Sequence, residues 1–235
     1  MIRVIGFDGD DTLWHNESLF ALTQERFYEL LRPYSAGPDL PARLFETEMR
    51  NLRLFGYGAK GFMLSMIETA IEVSAGRVTA TEIQTIINSG KALIEHPVEL
   101  LDGVLDTIAA LDGTYELLLI MKGDLFHQES RIAGSGLGAF FDGIEIVSEK
   151  DRPTYERILK RRGIAPGEFL MVGNSVRSDI LPIVALGARA VHIPYHITWQ
   201  HEQVAGERGD GVDWWELPAI AALPAKLAEL AAGHE

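Results

Sequence analysis

Three aspartates follow a short apolar run near the N-terminus, at Asp8, Asp10 and Asp11. A carboxylate can attack the phosphorus of a phosphate ester and form an aspartyl-phosphate, which water then hydrolyses. A second carboxylate two residues later can protonate the leaving oxygen and then accept a proton from that water. The spacing therefore predicts that Asp8 is a nucleophile and Asp10 a general acid and base. The alternative for this cluster taken alone is a simple turn, because aspartate and glycine favour turns.

Polar side chains also follow three later apolar runs, at Lys122, at Lys150, and at Asn174 with Asp179. If these runs are parallel strands, their carboxyl ends meet at the edge of the sheet where ligands bind. Carboxylate and amide oxygens suit Mg2+. A cation and Lys150 would offset the repulsion between Asp8 and a phosphate dianion. The sequence thus predicts a site for magnesium and a phosphate ester.

Five apolar runs predict the strands that position these groups, at 4–7, 115–121, 144–147, 169–172 and 190–193. The last four alternate with segments of helical periodicity, such as 154–162 and 180–186. Strands that alternate with helices at this spacing predict right-handed crossovers. We therefore expect an α/β fold with a doubly wound, Rossmann-like parallel sheet and helices on both faces.

The interval 15–97 has a different pattern, since apolar residues recur at helical spacing, as at Phe62, Met66 and Ala70. It predicts about four helices and no strands, inserted after the first strand as a helical cap domain. The core domain is then formed by 1–14 and 98–235.

A glycine-rich break in the predicted cap contains Tyr57 and Lys60. A loop of this kind can close over a substrate, so both residues are candidates for setting substrate specificity. The alternative is an ordinary connection between two helices.

Several other residues are interpreted as structural. Trp214 and Trp215 are expected to pack under a final helix at 220–230, and Gln128 and Arg131 to lie on the helix after the second core strand. A further group is interpreted as surface or packing histidines rather than metal ligands, because spacing alone does not give convergent geometry: His192, His196 and His201.

The ordered set of motifs resembles the haloacid dehalogenase superfamily. The segment 8–13, Asp-Gly-Asp-Asp-Thr-Leu, is similar to its first motif, and Lys150 stands where its third motif has a lysine. The segment 173–179 resembles the fourth motif, Gly-Asp-x-x-x-x-Asp. The resemblance covers about 2–13 and 101–194, and the helical insertion is placed like that family's cap.

The resemblance implies a role for each matched residue. Asp8 would be the nucleophile and Asp10 the general acid and base, while Lys150 would hold Asp8 and the phosphate. Mg2+ would be held by the Asp8 carboxylate, the Asp10 backbone carbonyl and the fourth motif, through Asn174 and Asp179.

Two departures from the family pattern bear on activity. Met121 stands where the second motif has Thr or Ser, and a thioether cannot donate to a phosphate oxygen, which removes about 1–3 kcal/mol of stabilisation. The backbone N–H groups of Lys122 and Gly123, or the Lys122 ammonium, are candidates for compensating. Asn174 replaces the first aspartate of the fourth motif, which should weaken metal binding rather than abolish it.

These observations predict a Mg2+-dependent hydrolase of small phosphomonoesters. One alternative is a haloacid dehalogenase-type hydrolase, against which Asp10 argues, because a halide leaves without a proton whereas an alkoxide needs one. A second alternative, favoured by Met121 and Asn174, is a weakened member that binds a phosphorylated ligand or a partner without turnover.

The composition excludes several other classes of protein. The chain has 235 residues, 47% of them apolar, which suffices for a large core. A formal net charge of -13 leaves no large basic face for nucleic acid, and the absence of cysteine excludes a thiolate nucleophile. No uncharged apolar stretch reaches the roughly 18 residues of a membrane span, and the apolar start is too short for a signal peptide. We expect a cytoplasmic protein that does not bind membranes, and the sequence predicts no particular oligomeric state.

Overall fold

The computed structural model describes residues 1–34, 39–204 and 214–232. Within these ranges the strands are β1 (Val4–Phe7), β2 (Glu116–Lys122), β3 (Gly143–Val147), β4 (Phe169–Gly173), β5 (Arg189–His192) and β6 (Trp214–Glu216). The α-helices are α1 (Glu17–Leu31), α2 (Leu40–Phe55), α3 (Ala59–Val73), α4 (Ala80–Ile94), α5 (Val104–Leu111), α6 (Leu125–Ser135), α7 (Arg152–Arg162), α8 (Leu181–Val184) and α9 (Leu223–Ala232).

The strands form one parallel sheet in the order β3-β2-β1-β4-β5-β6. The strand order therefore reverses at β1, which lies between β2 and β4. In doubly wound sheets, ligands bind beyond the carboxyl ends of the strands at this reversal. The predicted fold is confirmed. The reversal places the end of β1 beside the end of β4, where the Asp8 N–H donates to the Val172 carbonyl at 2.9 Å.

The faces of the sheet are both covered, which explains why its strands read as continuous apolar runs. Ile5 and Phe7 of β1 belong to one buried cluster, and Val4 belongs to another. On β2, Leu117 and Leu118 divide between the same two clusters. This alternation follows from the two-residue period of a strand.

The last strand is a feature that the sequence analysis missed. Trp214 and Trp215 belong to β6, which pairs with β5. Trp215 also contacts the final helix, because the Lys226 ammonium lies 5.1 Å from its indole ring. The predicted helix at 180–186 is also shorter than expected, because a π-helical turn at Val176–Ile180 precedes α8.

The chain divides into two compact units. The first contains the sheet and comprises Met1–Glu17, Val98–Lys122 and Gln128–Glu235. The second comprises Ser18–Pro97 and Gly123–His127. It contains α1 to α4 and has an apolar core of its own. The predicted boundaries assign Gly123–His127 to the core domain instead. Among the described residues, no helix combines the length and apolarity that crossing a bilayer requires.

Candidate active site

Asp8, Lys150 and Asp179 form a buried ionic cluster at the carboxyl end of β1. The Lys150 ammonium donates to Oδ1 of Asp8 and, at 2.7 Å, to Oδ1 of Asp179. Burial raises the pKa of Asp8 above its ordinary value, and Lys150 opposes that rise. Burial also disfavours the Lys150 ammonium, but Asp179 and Asp8 outweigh it and raise the pKa of Lys150. The lysine therefore stays charged and fixes the Asp8 carboxylate.

A single hydroxyl joins Asp8 to Asn174. Thr12 Oγ1 lies 3.2 Å from Asp8 Oδ2 and 3.4 Å from Asn174 Oδ1, so the two oxygens face a common point. Asp179, in contrast, uses Oδ1 for Lys150 and Oδ2 for the Ser175 N–H at 3.0 Å. Both oxygens of Asp179 are engaged within the protein, which makes Asn174 the stronger candidate for a direct metal ligand.

The oxygen donors of this strand end fit Mg2+, which takes only oxygen ligands and keeps several waters. Within the described ranges, no three His, Asp or Glu side chains are grouped to hold a metal by themselves. Mg2+ is often bound through one or two carboxylates together with substrate phosphate. Metal binding by Asp8, the Asp10 carbonyl, Asn174 and Asp179 stays a prediction.

Asp10 is held by three side chains. Trp14 Nε1 donates to Oδ1 and Gln128 Nε2 to Oδ2, both at 2.8 Å, and Arg131 Nε lies 3.2 Å from Oδ1. Arg131 is itself fixed, because it donates to the His15 carbonyl at 2.8 Å. Gln128 and Arg131, interpreted above as structural, thus bind the predicted general acid. Gln128 and Arg131 are three residues apart on α6 and therefore lie on one helix face, but that spacing does not indicate which residue they bind.

Met121 lies beside Gly9 and is buried within the core. A Cβ built at Gly9 would come within 2.9 Å of its terminal methyl and within 2.6 Å of Trp14. A side chain at position 9 would therefore require Trp14 or Met121 to shift. Met121 brings no hydrogen-bond donor to this position.

The Lys122 ammonium has carboxylate partners. It contacts Glu202 Oε1 at 2.6 Å, Ser178 Oγ at 3.0 Å and Glu149 Oε1 at 3.5 Å. To supply the hydrogen-bond donor that Met121 lacks, the Lys122 ammonium would have to leave these contacts. The backbone N–H groups of Lys122 and of Gly123, which follows it in the chain, stay the simpler candidates for phosphate binding.

Glu202 has no counterpart in the sequence prediction. Its Oε2 accepts hydrogen bonds from Ser175 Oγ at 2.5 Å and Ser178 Oγ at 2.6 Å, while Oε1 faces Lys122. Burial opposes ionisation of this carboxyl, but Lys122 and the two serines outweigh it and lower the pKa of Glu202 to about 2.

Asp11 takes no part in the cluster around Asp8. It has a φ of 62°, in the left-handed region that aspartate tolerates and glycine favours. Its Oδ1 accepts from the N–H groups of Asn16 and Glu17 at 2.8 and 3.0 Å, at the start of α1. Burial raises the pKa of Asp11 to about 7, and the hydrogen bond from Glu17 opposes that rise.

The remaining candidates have local partners. In the second unit, the Lys60 ammonium lies 2.9 Å from Asp124 Oδ1 and 5.7 Å from the Phe126 ring centre. A role for Lys60 and Tyr57 in specificity stays a prediction. The three histidines make separate contacts: His192 with the Asn174 carbonyl and Glu216, His196 with the Tyr195 ring, and His201 with the Trp199 ring.

Comparisons with known proteins place this geometry in a family. A sequence model described as a haloacid dehalogenase-like hydrolase matches residues 2–187. No curated protein matches the chain. A solved structure of a haloacid dehalogenase-like family hydrolase from Xanthomonas campestris is 42% identical, with a TM-score of 0.89 and coverage of 99% of this chain and 93% of that one.

Two more distant structures share the fold. A 2-haloacid dehalogenase from Pseudomonas syringae pv. Tomato DC3000 is 19% identical, with a TM-score of 0.65 and coverage of 98% of this chain and 100% of that one. A HAD-hydrolase from Bacillus subtilis bound to magnesium is 18% identical, with a TM-score of 0.67 and coverage of 97% and 99%. The family model and the Xanthomonas relative both span most of this sequence, and the chain belongs to the haloacid dehalogenase-like hydrolase family.

Proposed function

We propose that this chain is a Mg2+-dependent hydrolase of small phosphomonoesters that works through an aspartyl-phosphate on Asp8. The proposal rests on the pair of carboxylates at the end of β1. Asp8 is fixed by Lys150, and Asp10, two residues later, is held by Trp14, Gln128 and Arg131. This pair supplies a nucleophile and a separate proton carrier.

The reaction would proceed in two halves. In the first, the Asp8 carboxylate attacks phosphorus, the bond to the ester oxygen breaks, and Asp10 gives that oxygen a proton. In the second, Asp10 takes a proton from water, whose oxygen attacks phosphorus and breaks the bond to Asp8. Phosphate leaves and both carboxyl groups return to their starting states.

The protein groups around Asp8 prepare it for a charged substrate. Lys150 offsets the repulsion between the carboxylate and a phosphate dianion. Mg2+, held by the Asp8 carboxylate, the Asp10 carbonyl and Asn174, would neutralise further phosphate charge when bound. Magnesium in the Bacillus subtilis relative is consistent with this assignment. To transfer its proton, Asp10 must give up part of its contact with Arg131 and contact the substrate instead.

Asp10 also distinguishes this proposal from dehalogenation, the activity named for the Pseudomonas relative. A halide departs without a proton, so a dehalogenase has no need of an acid two residues after its nucleophile. A phosphate ester does need that acid. The presence of Asp10 two residues after Asp8 therefore favours the phosphatase.

The experiment is hydrolysis of p-nitrophenyl phosphate by the native chain, with and without Mg2+, compared with Asp8→Asn and with the exposed control Asp102→Asn. We expect Mg2+-dependent turnover that Asp8→Asn abolishes and Asp102→Asn retains. Halide release from a 2-haloacid, lost in Asp8→Asn and without phosphatase activity, would replace the proposal with a dehalogenase. Binding of inorganic phosphate with neither activity would replace it with a non-catalytic binding protein.

A further inference from the structure

Glu202 lies outside the four motifs and far along the chain from Asp8. It ends a short 3-10 helix, Gln200–Glu202, that follows β5, and its side chain is only 13% exposed. A carboxylate that is nearly buried needs partners that compensate for its lost hydration. The partners of Glu202 come from two separate strand ends.

Each Glu202 oxygen is bound to a different strand end. Oε1 contacts the ammonium of Lys122, the last residue of β2. Oε2 accepts from the hydroxyls of Ser175 and Ser178, which lie in the segment that follows β4. Ser178 also receives a hydrogen bond from Lys122, which closes the network.

These two strand ends flank the nucleophile. The sheet order is β2-β1-β4, so β2 and β4 are the neighbours of the strand that ends at Asp8. The end of β2 leads to the predicted phosphate-binding N–H groups. The segment after β4 contains Asn174 and Asp179, the predicted metal ligand and the partner of Lys150.

We propose that Glu202 is a positioning residue that fixes the phosphate-binding end of β2 relative to the metal-binding segment after β4. This inference rests on the proposed function for its catalytic consequence. Partners that orient metal ligands without touching the metal typically contribute 10–100-fold to metal affinity or activity.

Glu202→Gln is the decisive variant because glutamine has nearly the same shape. Both oxygens of Glu202 accept hydrogen bonds, one from an ammonium and the other from two hydroxyls. Glutamine offers its oxygen to one side only, and its NH2 group would then face donors on the other side. The matched control is Glu156→Gln, which makes the same change of charge at an exposed position on α7.

The first measurement is amide hydrogen exchange in the absence of substrate and metal. We expect the amides of 174–180 to exchange faster in Glu202→Gln than in the native chain or Glu156→Gln, because local opening becomes easier. Unchanged exchange in this segment would overturn the proposal. Glu202→Asp, which keeps the charge but is shorter, provides the same comparison if Glu202→Gln does not fold.

The second measurement is the kcat and KM of p-nitrophenyl phosphate hydrolysis at varied Mg2+. In Glu202→Gln we expect kcat to fall and half-saturating Mg2+ to rise, each by about tenfold, with Glu156→Gln near the native values. Native kinetics in Glu202→Gln, or an equal loss in Glu156→Gln, would overturn the positioning role. The native chain could also hydrolyse no phosphate ester while Glu202→Gln still shows faster exchange. That result would support the Glu202 network and reject the phosphatase function.

Discussion

Asp179 is bound to Lys150 at 2.7 Å, and the same ammonium also holds Asp8, the proposed nucleophile. One lysine thus compensates two buried carboxylates. Asp179 accepts the Ser175 N–H on its other oxygen, so it anchors the segment after β4 as well. The residues that resemble the family's third and fourth motifs therefore meet at a single ionic cluster.

Lys150→Met should destabilise the fold as well as abolish activity. Removing one member of a buried ion pair leaves uncompensated charge and costs about 3–5 kcal/mol. The loss in the free energy of unfolding should be largest near neutral pH and smaller in acid, where the carboxyls are protonated. Urea unfolding across pH measures it, with the exposed Lys160→Met as control. A loss below about 1 kcal/mol, the range of a surface ion pair, would contradict the buried cluster.

The strands that position the site could be predicted because buried parallel strands are continuous apolar runs that end at polar residues. β6 was missed since it is three residues long and contains two tryptophans and a glutamate. Among the described residues of the second unit, the four helices agree with the prediction of about four, because helical periodicity is a local signal.

The partners of the predicted catalytic residues could not be predicted in the same way. Gln128 binds Asp10 from 118 residues away, and Glu202 binds Lys122 from 80 residues away. Spacing along the chain contains no information about such pairs unless the packing of each helix and loop is known. Motif spacing therefore indicated the reacting groups but not the side chains that orient them.

Asp10→Asn should discriminate between leaving groups. Phenol is a poorer leaving group than p-nitrophenol, so phenyl phosphate depends more on protonation by Asp10. The ratio kcat/KM reports steps up to formation of the aspartyl-phosphate and excludes the later hydrolysis. We expect kcat/KM to fall by about 10²–10⁴-fold for phenyl phosphate and less for p-nitrophenyl phosphate. Equal losses for the two esters would show that Asp10 is not the acid.

Met121→Thr should increase phosphatase activity, because it restores the hydroxyl donor of the second motif. A donor to the phosphate is worth about 1–3 kcal/mol, or about 5- to 150-fold in kcat/KM. Met121→Val is the matched control, since valine has the shape of threonine without its hydroxyl. Both variants should lose about 1–3 kcal/mol of stability from the reduced core volume. An equal change of activity in both would assign the effect to packing alone.

Asp11→Asn should stabilise the protein above neutral pH. Burial raises the pKa of Asp11 to about 7 from an ordinary value of 3.8, so the folded state binds a proton that the unfolded state releases. The contribution of Asp11 to native stability therefore falls as pH rises from about 4 to 7 and is level above that range. Asparagine carries no charge, accepts from the same N–H groups of Asn16 and Glu17, and tolerates the left-handed backbone.

Urea unfolding measures the effect. At pH 8 the free energy of unfolding of Asp11→Asn should exceed that of the native chain by at least about 1 kcal/mol, since each pKa unit corresponds to about 1.4 kcal/mol. At pH 4 the two should differ little. A difference that does not vary with pH would show that Asp11 is ionised in the folded state throughout this range.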